Sequence, residues 1–212
     1  ARIAAAENFV KNNPQNNNAL TQRTDAERTV IKIPVVVHIL YHFPGENISD
    51  EIVHNQIAIL NRDFRKRNAD TVNTPAHFKT AAGDCDIEFK LAISDPRGRS
   101  TTGIIHKYTP IKKWYDDDKI KFSSEMGDDA WDSKSYLNIW VGNLQYLRGY
   151  SSVPGSNANI DGIVLAAANF GTANLTIAPY AGRTAVHEVG HWLGLKHIWG
   201  DADCGDDEVS DT

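Results

Sequence analysis

The sequence predicts an α/β domain of the α+β kind: a mixed, mostly parallel twisted sheet, a helix backing it, and a second helix late in the chain. Three observations predict this. Apolar, β-branched runs such as "TVIKIPVVVHIL" and "DGIVLAAANFG" read as buried strands. The stretch "DEIVHNQIAILNRDFRKRN" repeats its apolar residues at helical spacing. The elements follow the order strand, helix, strand, strand, strand, helix, which suits one α/β lobe.

Taken in order, residues 1–28 are polar and Asn-rich and read as a surface arm or the remnant of a pro-segment, with a short helix expected in "ARIAAAENFV". From Thr29 the first strand follows. Ser49 should cap the first helix, with Asp50 and Glu51 in the first turn, where negative charge suits the helix dipole. Ile52, Ile59, Leu60 and Phe64 mark the face that packs on the sheet. "CDIEFKLA" alternates apolar and charged residues and reads as the second strand; "YLNIWVGNL" and "DGIVLAAANFG" supply two more. Residues 94–134, rich in Gly, Asp and Lys, are expected to be mostly loop. The division expected is an arm at 1–28, a main subdomain at 29–194 and the start of a C-terminal subdomain at 195–212.

Composition narrows the function classes. The net charge of -5 gives no electrostatic footprint for nucleic acid or an anionic membrane. The longest apolar runs are too short to cross a bilayer. Cys85 and Cys204 are either two thiols or one mutual disulfide. The chain opens at Ala1 without a signal-peptide pattern, which is expected of a processed product, and together with a metal-type site this points to a secreted setting.

The chemistry concentrates in "HEVGHWLGLKH", from His187 to His197. Residues four apart lie on one face of a helix, so His187 and His191 can aim their imidazoles at one point. Gly194 suits a left-handed helix end that would turn the chain back and bring in His197. Zinc accepts such nitrogens at roughly 2.0–2.1 Å, and three protein ligands leave its fourth position open, as catalytic sites require. Glu188, beside the first ligand, is placed to act on a water without ligating the metal. A lone HExxH is weak evidence, but five agreeing positions arise by chance roughly once in ten thousand such chains. His38, His42, His54, His77 and His106 lack any such spacing and read as structural or solvated.

At these residues the chain resembles the metzincin clan of zinc metallopeptidases. Within it, "GRTAVHEVGHWLGLKHIWGD" followed by "CGDDEVSDT" is similar to the pappalysin family, particularly its bacterial secreted type. The likeness covers about residues 28–212. It implies a metzincin-like catalytic domain with His187, His191 and His197 as zinc ligands and Glu188 as general base. It implies a secreted endopeptidase acting on proteins or peptides through a zinc-bound water, with a preference for a basic residue just after the cleaved bond. A non-catalytic zinc-binding module for adhesion or inhibition, and a latent proenzyme, are the competing readings. Metzincins carry a tight turn with a Met beneath the zinc, followed closely by a Tyr that helps stabilise the reaction intermediate. The one methionine, Met126, lies upstream of the zinc helix, so that turn and the rest of the C-terminal subdomain are expected beyond Thr212. The resemblance also implies that Cys204 pairs with a Cys in that part, which leaves Cys85 as the odd thiol.

Asp201, Asp203, Asp206, Asp207, Glu208 and Asp211 place six carboxylates in the last twelve residues. Such a run is either a solvated acidic loop or a site for a hard cation bound through oxygen. Bacterial pappalysins bind calcium near this segment, which implies Ca2+ at Asp206, Asp207, Asp211 and the Thr212 carbonyl. The other acidic runs, at 116–118 and 127–129, are expected to be exposed loop charge. A chelator selective for calcium over zinc should therefore lower the melting temperature, since an ion bound only by the folded form stabilises it by mass action. An unchanged melting temperature would return the tail to a solvated loop.

Overall fold

The computed structural model describes residues 29–171, 182–203 and 205–209. The expected arm at 1–28 and its short helix lie outside them. Strand β1 (Ile31–Tyr41) is the centre of the sheet. Its first half pairs with β2 (Ile87–Leu91) and its second half with β3 (Ile104–Tyr108), both in parallel. On its other side β1 pairs with β4 (Leu137–Gly142), and β4 with β6 (Ile163–Ala166), again in parallel. The short β5 (Gly149–Ser151) runs antiparallel to β6 and ends the sheet. The sheet is thus mixed and mostly parallel, as the apolar runs imply.

The continuous apolar sequence of β1 has a physical reason. Val35, Val36, Val37, His38, Ile39 and Leu40 are all no more than 1% exposed, because both faces of the strand are covered. One face meets helix α1 (Asp50–Phe64), whose Val53, Ile57, Leu60 and Phe64 pack on Val35, Val37 and Ile39. Helix α2 (Arg183–Trp192) adds Ala185 and Val189 to the same core. The opposite face packs Leu40, Trp140 and Val164 against Trp114 and Ile120. Ser49 precedes α1 in extended conformation but makes no side-chain cap; Asp50 in the first turn instead accepts from His106 Nε2 at 2.8 Å. Among the described residues no helix is long and apolar enough to cross a membrane.

Two strands and one charged run depart from expectation. β3 lies within the stretch read as loop, and His106 is on it, while the same stretch supplies Trp114 and Ile120 to the second core. β5 is too short, and too close to glycine, to give a periodic signal. The run at 127–129 is not simply solvent-exposed charge. His38, fully buried in β1, meets Asp128 Oδ2 through Nδ1 at 2.7 Å and Asn138 Oδ1 through Nε2 at 3.2 Å. Lys107 Nζ donates to Asp128 Oδ1 at 2.8 Å. Burial works to raise the Asp128 pKa, but the hydrogen bonds from His38 and Lys107 outweigh it and hold the carboxyl below its ordinary value.

A depressed carboxylate stabilises the fold above its unfolded value of about 3.9, and that contribution fades as pH falls through the lower folded value. Asp128→Asn should cost about 1–3 kcal/mol at neutral pH, the range for hydrogen bonds to a partly buried charge. In urea melts the gap between wild type and variant should narrow as pH falls below about 4. A gap that widens on acidification would contradict this.

Candidate metal centre

Helix α2 begins at Gly182, whose φ of +71° admits a side chain only with strain. There is no space for one either: a Cβ would sit 2.4 Å from Ile59 Cδ1 on α1. The fully buried Gln56 of α1 donates to the Gly182 carbonyl at 2.9 Å and accepts from the Gly171 amide at 2.7 Å. Arg183 ties the same turn to α1 through Asp63 at 3.0 Å. Ala185 and Val189, one turn apart, anchor the helix in the core and leave His187 and His191 on the opposite side.

The helix ends as the glycine implies. Gly194 has φ +101°, its amide donates to the His191 carbonyl at 2.9 Å, and Leu195 N donates to Gly190 O at 3.0 Å. These two bonds form a Schellman turn, which reverses the chain and returns His197 to the helix. The Nε2 of His191 then lies 2.9 Å from that of His187 and 3.1 Å from that of His197, with 3.3 Å between the other two.

That convergence is a test of what the site can hold. His191 Nδ1 faces the Leu195 carbonyl at 2.7 Å, so it carries the ring hydrogen and leaves Nε2 with a bare lone pair. His197 Nδ1 bonds to the Asp201 carboxylate, with the same consequence for its Nε2. Two lone pairs then face each other, and His187 can donate to only one of them. A cation shared by all three resolves the conflict, and the donor set and spacing fit zinc. Among the described residues these three histidines are the group able to hold a metal. Desolvation, followed by the neighbouring rings of His191 and His197, lowers the His187 pKa and favours its neutral, ligating form.

Glu188, next to His187 on the helix, is 7% exposed and feels the neighbouring His197. Burial pushes its carboxyl up to about 7; a dication beside it would oppose that rise. β5 comes close to its side chain at a glycine: a Cβ on Gly149 would lie 3.1 Å from Glu188 Cγ, tighter than ordinary packing. A cleft of about 410 Å³, lined by Arg148, Gly149, Arg183, Thr184, His187 and Glu188, opens beside it. At the last residue of the helix, Trp192 Nε1 donates to Asp161 Oδ1 at 2.8 Å, and Ser152 Oγ donates to the same oxygen at 2.9 Å. Asp161 thereby links the zinc-site helix to the end of β5.

The structure thus brings together His187, His191, His197 and Glu188. Of the expected calcium ligands, Asp206 and Asp207 accept from the backbone amides of Glu208 and Val209 at 2.7 and 3.1 Å, in short Asx turns. Asp211, Thr212 and Cys204 lie outside the described residues. Cys85 is exposed and free. The other histidines find partners elsewhere, among them His42 at the Thr109 carbonyl and His54 at the Asp50 carbonyl. Gly149, Asp161 and Asp201 were not singled out by sequence. Of the three, only Asp201 carries a sequence signal, a carboxylate four residues after His197, and the acidic run it opens obscures that signal.

The chain is similar to several known proteins. The family described as pregnancy-associated plasma protein-A matches residues 121–212. Mature mirolysin of Tannerella forsythia, solved with a cleaved peptide, is 46% identical with a TM-score of 0.83; the likeness covers 87% of this chain and 72% of that one. Promirolysin of the same organism is 42% identical with a TM-score of 0.86, over 100% of this chain and 69% of the other. A protein of Verticillium alfalfae named extracellular metalloprotease is 27% identical over 195 residues. One of Podospora anserina, named likewise, is 28% identical over 202. The chain spans 58% and 59% of the lengths of these two fungal relatives.

Proposed function

The chain belongs to the pappalysin family of metallopeptidases, and on that premise we propose that it acts as a secreted zinc endopeptidase. The observation that carries the reading is the convergence of His187, His191 and His197 beside the buried Glu188, at the mouth of an open cleft. When bound, zinc would supply a Lewis acid that polarises a carbonyl and makes water more acidic. Glu188 takes a proton from the attacking water as its oxygen bonds to the scissile carbonyl carbon. As the C–N bond breaks, the same carboxyl returns that proton to the leaving amine. Its partly apolar surroundings favour the protonated carboxylic acid at that second step.

β5 is the rim of this cleft. Its outer edge has no strand partner among the described residues, so an extended peptide can add there antiparallel and lie across the three histidines. β6 itself is internal, between β4 and β5. A preference for a basic residue after the cleaved bond rests on family likeness. Among the described residues two arginines line the cleft and Glu188 is its one acid, so an acid receiving that residue would come from elsewhere. Calcium at Asp206, Asp207, Asp211 and Thr212, and a disulfide from Cys204 to a C-terminal part, rest on the same likeness. The extracellular naming of the fungal relatives supports secretion.

One observation favours a latent form as a second reading. The likeness to promirolysin spans 100% of the chain, whereas that to mature mirolysin spans 87%, which fits residues 1–28 as pro-segment.

Glu188→Ala in the full-length protein should keep zinc near one equivalent while turnover falls by roughly two to four decades, the range for losing a general acid–base. Peptide cleavage at near-normal rate by that variant would remove Glu188 from the chemistry.

A further inference from the structure

His187 and His191 are held by a helix, but His197 sits on the turn beyond it and needs its own restraint. The turn supplies two. The Trp199 indole stacks on the His197 ring at 4.4 Å between centroids and 4° between planes. On the other ring nitrogen, Asp201 accepts from Nδ1. It is the one carboxylate bonded to a ring of the three ligands among the described residues, since His191 uses a backbone carbonyl.

The backbone is built around that contact. Gly200 and Asp201 both lie in the left-handed region, at φ +61° and +57°. For Asp that conformation is strained and persists only where surroundings demand it. The Gly200 amide donates to the His197 carbonyl at 2.8 Å, closing the turn. A Cβ on Gly200 would be 2.5 Å from Asp206 N, so the following segment packs directly over it. Five residues, "HIWGD", thus form a brace that aims one side chain.

We propose that Asp201 is a positioning residue for the metal centre, the outer carboxylate that fixes the His197 tautomer and ring plane and makes its Nε2 a stronger donor. This rests on the zinc reading above. A carboxylate in this place holds the hydrogen on Nδ1, so Nε2 needs no tautomer change to ligate, and its charge offsets part of the dication's. Asp201 therefore belongs functionally to the zinc site and not to the acidic tail that follows.

The test is zinc affinity of the full-length protein, measured by competition with a chromophoric chelator. Loss of an outer partner weakens binding by roughly 10–100-fold, and since His197 and Asp201 are each about one-third exposed, Asp201→Ala and Asp201→Asn should fall near tenfold. Melting curves of the metal-free forms should be alike. In a His197→Ala background, Asp201→Ala should cause no further loss, because its effect passes through that ring. The cobalt-substituted protein should change its visible absorption on Asp201→Asn. Wild-type affinity in both single variants, or an equal loss with and without His197, would overturn the assignment while leaving the three-histidine centre intact. Failure of the wild type to bind zinc would overturn the centre itself.

Discussion

Three imidazole nitrogens within 3.3 Å of one another form an arrangement that a protein without a bound cation has no reason to keep. Two of the rings spend their hydrogens on outward partners, the Leu195 carbonyl and the Asp201 carboxylate, so their inward lone pairs oppose each other. Much of the packing around α2 can be understood as holding that unfavourable triangle in place. Ala185 and Val189 fix the rotation of the helix about its axis. The Schellman turn at Gly194 fixes where the third ring returns.

The supports are mostly places where something small or buried allows close approach. Gln56, inside the core, hydrogen-bonds to Gly182 and Gly171, fastening the start of the zinc-site helix to the segment after β6. Gly149 lets β5 lie against Glu188, so this carboxyl and the edge strand form one wall. Asp161 accepts from both Trp192 and Ser152, which sets the rim against the far end of the same helix. The central strand, covered on both faces, gives these contacts a rigid reference. Function here depends on how precisely loops and an edge strand are tied to α2.

Much of this was legible in the sequence because its signals are periodic. The spacing from His187 to His197 follows from helix and turn geometry, and β1, β4 and β6 show as apolar runs because both their faces are covered. What escaped depends on partners distant in the chain. β3 has five residues, β5 three, and neither shows the pattern of a strand covered on both sides. Asp128 looks like loop charge until His38, ninety positions earlier, is found against it. Asp201 is hidden by averaging: within a run of carboxylates, composition does not tell the one that bonds to a histidine ring from those that face water.

The most direct measurement is X-ray absorption at the zinc edge on the full-length protein carrying one equivalent of zinc. The account predicts a first shell of three imidazole nitrogens and one further oxygen or nitrogen donor at roughly 2.0–2.1 Å, with the outer-shell scattering of histidine rings and no sulfur. A shell of oxygens alone, a sulfur contribution, or fewer than three imidazoles would contradict it.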